Sequence, residues 1–133
     1  MALRRTTLSM ATVLLAISVA SEPCLAAACM TAAAGDMGAE GEVAKQEFKG
    51  AGGKSDVVYI LKLPIPACLS GRDKRDNVRE SDAIQLISSR PDIMSSIEQS
   101  VGKTSLVYGK PRGARSSRDH APIVMDVTKI DSE

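Results

Sequence analysis

The residues whose types and spacing could do chemistry lie close together near the C-terminal end of the chain. Lys110, Arg112, Arg115 and Arg118 fall within KPRGARSSRDHA, where Asp119 is the only acid and His120 is the only histidine of the whole protein. Cations spaced among small and turn-forming residues can hold an anion through charge-assisted hydrogen bonds. A loop of about a dozen residues is longer than most strand connections and costs entropy to order, so such loops often carry function. The same residues also make an ordinary solvated loop, and the two readings weigh about equally. The candidate ligand-binding residues are Lys110, Arg112, Arg115, Arg118 and His120.

Other chemistry is weaker. His120 and Cys68 could form a base–nucleophile pair, but nothing in the sequence brings them together and no oxyanion donor is visible. A structural cysteine and a surface histidine account for both. Asp119 beside His120 could tune the imidazole near neutral pH, against the default of a solvated loop histidine. The other carboxylates are scattered singly, with no pair suited to acid–base work. GAGGKS, Gly50 to Ser55, looks like half a phosphate loop. The full pattern needs a glycine five places before Gly53, where Phe48 stands, and a helix afterwards, where a strand is expected. No catalytic residue and no cofactor follow, and the chain reads as a non-enzyme.

The protein has 133 residues, enough for one domain with a modest core. Its net charge of +1 gives no whole-protein drive toward nucleic acid or membrane. Phe48, Tyr59 and Tyr108 are its only aromatics, with no tryptophan. Single-strand nucleic-acid binders use aromatic platforms for stacking, so this scarcity counts against nucleic-acid partners.

The N-terminus has the pattern of an address. Arg4 and Arg5 precede an apolar run from Leu8 to Ala20, and small residues follow at 26–28 and 32–34. That is the layout of a secretory signal, with cleavage near 26–34. The run falls short of the ~20 apolar residues a membrane span needs. Residues 1–28 are therefore set apart as a signal peptide, residues 29–41 as a flexible lead-in, and 42–133 as the folded domain. The protein is expected to be exported, periplasmic or secreted. LAAAC, ending at Cys29, imperfectly resembles a lipobox, which leaves a lipid anchor as the alternative. If Cys29 is retained and unmodified, it could pair with Cys68 in an oxidising compartment.

The elements that would position the loop follow from periodicity. Asp56 to Leu69 is the strongest strand, with Val57, Tyr59, Leu61, Leu63, Ile65, Ala67 and Leu69 at every odd position. Pro64 and Pro66 suit an edge or a bend. Glu42 to Phe48 is a weaker first strand, Gly71 to Asp82 reads as a solvated charged loop, and Ala83 to Ile87 as a third strand. Pro91 opens a helix whose Ile93, Ile97 and Val101 share one face, and Gly102 suits its stop. Gly102 to Gly109 and Pro122 to Ile130 alternate as two last strands around the basic loop. Val57, Tyr59, Leu61, Leu63 and Ile65 are predicted to meet Leu106, Ile123, Met125 and Val127 in one core, closed at one end by Ile93, Ile97 and Val101.

Three strands, a helix and two strands is the order of a small five-stranded Greek-key barrel of the OB type. The fold class is thus mainly β, with one helix between strands 3 and 4. Such barrels bind with the loops joining strands 1–2 and 4–5, here 50–55 and 110–121, though that is analogy at the level of fold.

From Tyr59 to Ile130 the chain also resembles a family of exported bacterial proteins, the domain of unknown function 4431 family. The resemblance rests on YILKLPIPAC, AIQLI, VGKTSLVYG and HAPIVMDVTKI: Pro66 and Cys68 match a proline-x-cysteine, Gly102, Lys103 and Gly109 a glycine-lysine strand, and His120 and Pro122 the end of a histidine-rich loop. It implies an exported domain and no known activity. Where relatives carry a histidine cluster this chain has Arg115, Arg118 and Asp119, and one His with one Asp falls short of a metal set. The expected role is a binding or interaction domain, monomeric or weakly oligomeric, whose basic loop meets an anionic envelope ligand or protein partner. An exported enzyme using Cys68 and His120, or a lipoprotein anchored at Cys29, are the alternatives.

Overall fold

The computed structural model describes residues 29–133. The signal-peptide reading of 1–28 lies outside them. The chain runs β1 (Met30–Thr31), β2 (Met37–Lys49), β3 (Ser55–Ser70), β4 (Val78–Ile87), α1 (Pro91–Gln99), β5 (Thr104–Gly113) and β6 (Ile123–Ser132), with short 3-10 turns at Ala51–Gly53 and Lys74–Asp76.

Five strands close on themselves. β2 pairs antiparallel with both β3 and β5, β5 with β6, and β3 with β4, while β4 and β6 run parallel. This is the mainly β, five-stranded OB-type barrel, with its helix between the third and fourth barrel strands. Closure depends on β2 serving two neighbours. Its residues from Met37 to Glu42 pair with β5, and those from Glu42 to Lys49 with β3. Gly41 sits where the strand changes partner. A Cβ there would lie 2.2 Å from the Lys62 carbonyl oxygen, so only glycine allows the two backbones so close.

The barrel core is apolar. Val43, Tyr59, Leu61, Ile84, Leu86, Val107, Ile123, Met125 and Val127 are buried in it, with Ile97 of α1 plugging one end. Pro91 stands in the first turn of α1, where its missing N–H costs nothing. The Tyr59 hydroxyl donates to Glu98 Oε1 at 3.2 Å and ties helix to barrel. Burial, and then the Glu98 carboxylate, push the Tyr59 phenol up.

Several expectations are corrected. The 29–41 segment is no flexible lead-in: Met30–Thr31 pair parallel with Leu69–Ser70, and β2 begins at Met37. Its small, polar residues gave no local sign of order because every partner is distant in sequence. The Gly71–Asp82 loop is shorter than expected, since β4 begins at Val78, and it buries Asp76. Val57 and Ile65 remain 48% and 70% exposed, because the alternation of β3 runs past both ends of the barrel. Val101 follows the helix and bridges to Val43 rather than closing the core.

β5 faces the other way from the prediction. Ser105, Val107, Gly109 and Pro111 point inward, while Leu106 and Tyr108 are half-buried outside. The inner wall of a narrow barrel has room here for small residues, and the Ser105 hydroxyl joins a part-buried chain with Ser132 and Ser100. In β6 an irregularity opposite Tyr108–Gly109 shifts the register, which returns Ile130 to the apolar side.

Candidate binding site on the basic loop

The predicted loop is shorter and far more ordered than a solvated connection. Lys110 and Arg112 belong to β5, so the connection itself is 114–122. Two buried carboxylates anchor it. Asp119 accepts from Arg112 Nη1 at 2.9 Å and from the Arg115 and Ser116 amides at 2.8 and 3.2 Å, which folds the loop back on itself. Asp76, 6% exposed, accepts from the Gly113 amide at 2.9 Å and from Arg115 Nη2 at 3.0 and 2.9 Å. At this crossing a Cβ on Gly113 would stand 1.5 Å from the Arg75 carbonyl oxygen, so glycine is what lets the end of β5 abut the Lys74–Asp76 turn.

The electrostatics follow from these contacts. The Gly113 amide, and after it Arg115, hold the Asp76 carboxyl below the usual carboxylate range against the opposing effect of burial. The Arg112 guanidinium does the same for Asp119, helped by the amides of Arg115 and Ser116. Both acids are charged across the neutral range and fix two of the four cations.

The far end of the loop lies on the outer face of the barrel. Val58 and Ile60, at even positions of β3, form a second apolar cluster with Ala121, flanked by Phe48 and Ala83. The His120 ring stacks on Phe48, with centroids 4.1 Å apart and planes 5° from parallel. Its Nε2 lies 3.4 Å from Asp56 Oδ2, and its backbone amide donates to Gln85 Oε1 at 2.6 Å. Gln85 Nε2 in turn donates to the Arg118 carbonyl at 3.1 Å. This buried amide satisfies loop backbone at two points.

The five candidate residues therefore divide. Arg112 and Arg115 are engaged with carboxylates, and His120 is packed against Phe48. Lys110 and Arg118 are exposed, and no salt bridge engages either side chain among the described residues. Asp126 stands opposite Lys110 across the ladder. Sequence reasoning missed Asp76, Gln85 and Phe48, which build the frame. Asp76 was hidden in a run of mixed charges, and only the tertiary crossing at Gly113 singles it out.

Cys68 is joined to Cys29 by a disulfide that spans 39 residues and ties β1 to β3. A sulfur in a disulfide is not a thiolate nucleophile, so no Cys68–His120 catalytic pair forms. The Cys29 sulfur is held in the same bond. Among the described residues no three of His, Cys, Asp or Glu gather where they could hold a metal ion, and no helix is long and apolar enough to cross a membrane.

No family model matches this chain, and no curated protein matches it. Among solved structures it is similar to the Plasmodium falciparum SSB complex with ssDNA, at 15% identity and a TM-score of 0.37, over 74% of this chain and 92% of that one. A likeness of that degree adds nothing to the fold that the strand pairing already shows.

Proposed function

We propose that this protein is an exported, non-catalytic binding domain of the cell envelope whose basic loop receives an anionic ligand. The observation that carries the reading is the loop's construction. Asp76, Asp119 and Gln85 hold 113–120 in one shape that leaves Arg118 exposed, and Lys110 is exposed on the adjoining end of β5. An ordered loop has already lost the entropy that a flexible one would lose on binding, so its exposed cations meet a ligand at lower cost. Arg112 and Arg115 then act chiefly as frame, and His120 packs the loop onto the barrel. The signal-like N-terminus and the resemblance to the 4431 family support export, and the disulfide suits an oxidising compartment.

Two measurements test this. Binding of the purified protein to envelope fractions is followed across a salt series, beside a K110A/R118A variant. The reading expects binding that weakens with salt and weakens again in the variant; equal binding with a flat salt response refutes it. Intact mass of the exported form tests the address. A mature chain that keeps Cys29 fits the disulfide, and a full-length chain retained in the cytoplasm overturns export.

A further inference from the structure

The Lys74–Asp76 turn brings a second basic segment against the loop. Gly113 abuts Arg75, and Arg115 reaches Asp76, so the turn that carries Lys74 and Arg75, with Arg72 just before it, meets the end of β5 and the start of the loop that carry Arg112 and Arg115, with Lys110 and Arg118 further along the same two elements. Four acids sit among these seven cations. Three are in salt bridges, Asp73 with Arg75, Asp76 with Arg115, and Asp119 with Arg112, and the fourth, Asp126, stands opposite Lys110 across the ladder without bridging it. Among the described residues Arg72, Lys74, Lys110 and Arg118 remain exposed and without a salt bridge, two on each segment.

Resting on the proposed loop site, we infer that its ligand is a linear polyanion bearing repeated phosphate groups, and that Arg72 and Lys74 form the second half of its track. All four free cations are exposed. A single exposed ion pair is screened and gains little, so one small anion touching one or two of these side chains stays weakly held. A chain of linked phosphates engages the cations in turn. Each contact after the first is intramolecular, and each releases condensed counterions. Guanidinium forks suit the phosphate oxygens, with the lysines as point charges beside them. The paired acids hold the turn and the loop together, and the four cations outside salt bridges outnumber the single unbridged acid, Asp126.

The test uses the purified oxidised protein with inorganic polyphosphate as the probe. Orthophosphate and a single-stranded oligonucleotide are compared at equal charge. Three variants are compared with wild type: R72A/K74A, K110A/R118A and the quadruple. Because Arg72 and Lys74 are exposed and unpaired, their removal is expected to leave the melting temperature unchanged. Each double variant is expected to weaken polyphosphate binding by about 3–10-fold, and to flatten the slope of log affinity against log salt by up to about two. If K110A/R118A loses binding while R72A/K74A matches wild type, the loop site stands and the extended track is wrong. If neither double variant changes binding, both readings fail. Orthophosphate competing as well as polyphosphate per phosphate group means a single-anion site and overturns the inference, as does tighter binding of the oligonucleotide.

Discussion

Replacing Asp76 by alanine isolates what holds the candidate site together. Its carboxylate is buried at the crossing of β5 and the Lys74–Asp76 turn and accepts the Gly113 amide and two contacts from Arg115. Alanine leaves the Gly113 amide without its acceptor in a buried place, which costs about 1–3 kcal/mol. The Arg115 side chain is 41% exposed, so water screens its pair and the lost bridge adds under ~1 kcal/mol. The two terms give roughly 1–4 kcal/mol for Asp76→Ala. Asp76→Asn keeps a carbonyl oxygen for the amide and loses only the charge, so under about 1 kcal/mol is expected. Urea denaturation reads this directly. At an m-value of about 1.5–2 kcal/mol/M, Asp76→Ala lowers the midpoint by roughly 0.5–2.5 M with m unchanged. A double-mutant cycle with Arg115→Ala separates the ion pair from the amide, and the coupling should stay below ~1 kcal/mol. An Asp76→Ala variant within ~0.5 kcal/mol of wild type refutes the reasoning. So does an Asp76→Asn variant as costly as the alanine one, since the charge and not the amide acceptor would then dominate.

Three further outcomes are expected. Leu61→Ala removes a fully buried side chain and costs about 2–5 kcal/mol, while Lys62→Ala, exposed on the next position, is nearly silent; thermal melts that rank them equally or in reverse contradict the facing of β3. Reducing the Cys29–Cys68 bond, which closes a loop of 39 residues, destabilises by ~4 kcal/mol on the chain-entropy estimate, and denaturation with and without a thiol reductant measures it. Acid should weaken the fold in a defined window. Asp76 and Asp119 have folded-state pKa values below their unfolded ones, so their stabilisation is present above about pH 4 and is lost as pH falls through the folded values. The midpoint of urea unfolding measured from pH 6 to pH 2 should drop below about pH 4 in wild type, and drop less in Asp76→Asn.

The sequence by itself determined the barrel. Alternation along Asp56–Leu69 and Ile123–Val127, a four-residue recurrence from Ile93 to Ile97, and Pro91 at the start of the helix are local signals, because side-chain direction repeats with backbone geometry. Their order then left few topologies that close. The sequence also offered Cys29 and Cys68 as a pair, without deciding between that and a lipid anchor. Only the tertiary structure decided which side of β5 faces inward. Leu106 and Val107 are both apolar, and the choice turned on the space inside the barrel, where Ser105, Gly109 and Pro111 fit. The order within 29–41 was hidden for a related reason: a strand such as Met37–Glu42 is held by β5, more than sixty residues away, and not by its own composition. The basic loop shows the same division most plainly. Its cations are visible in KPRGARSSRDHA, but which are free and which are spent on structure depends on where distant acids fall. Asp76 reaches Arg115 across 39 positions, and a pairing made through space leaves no period in the chain.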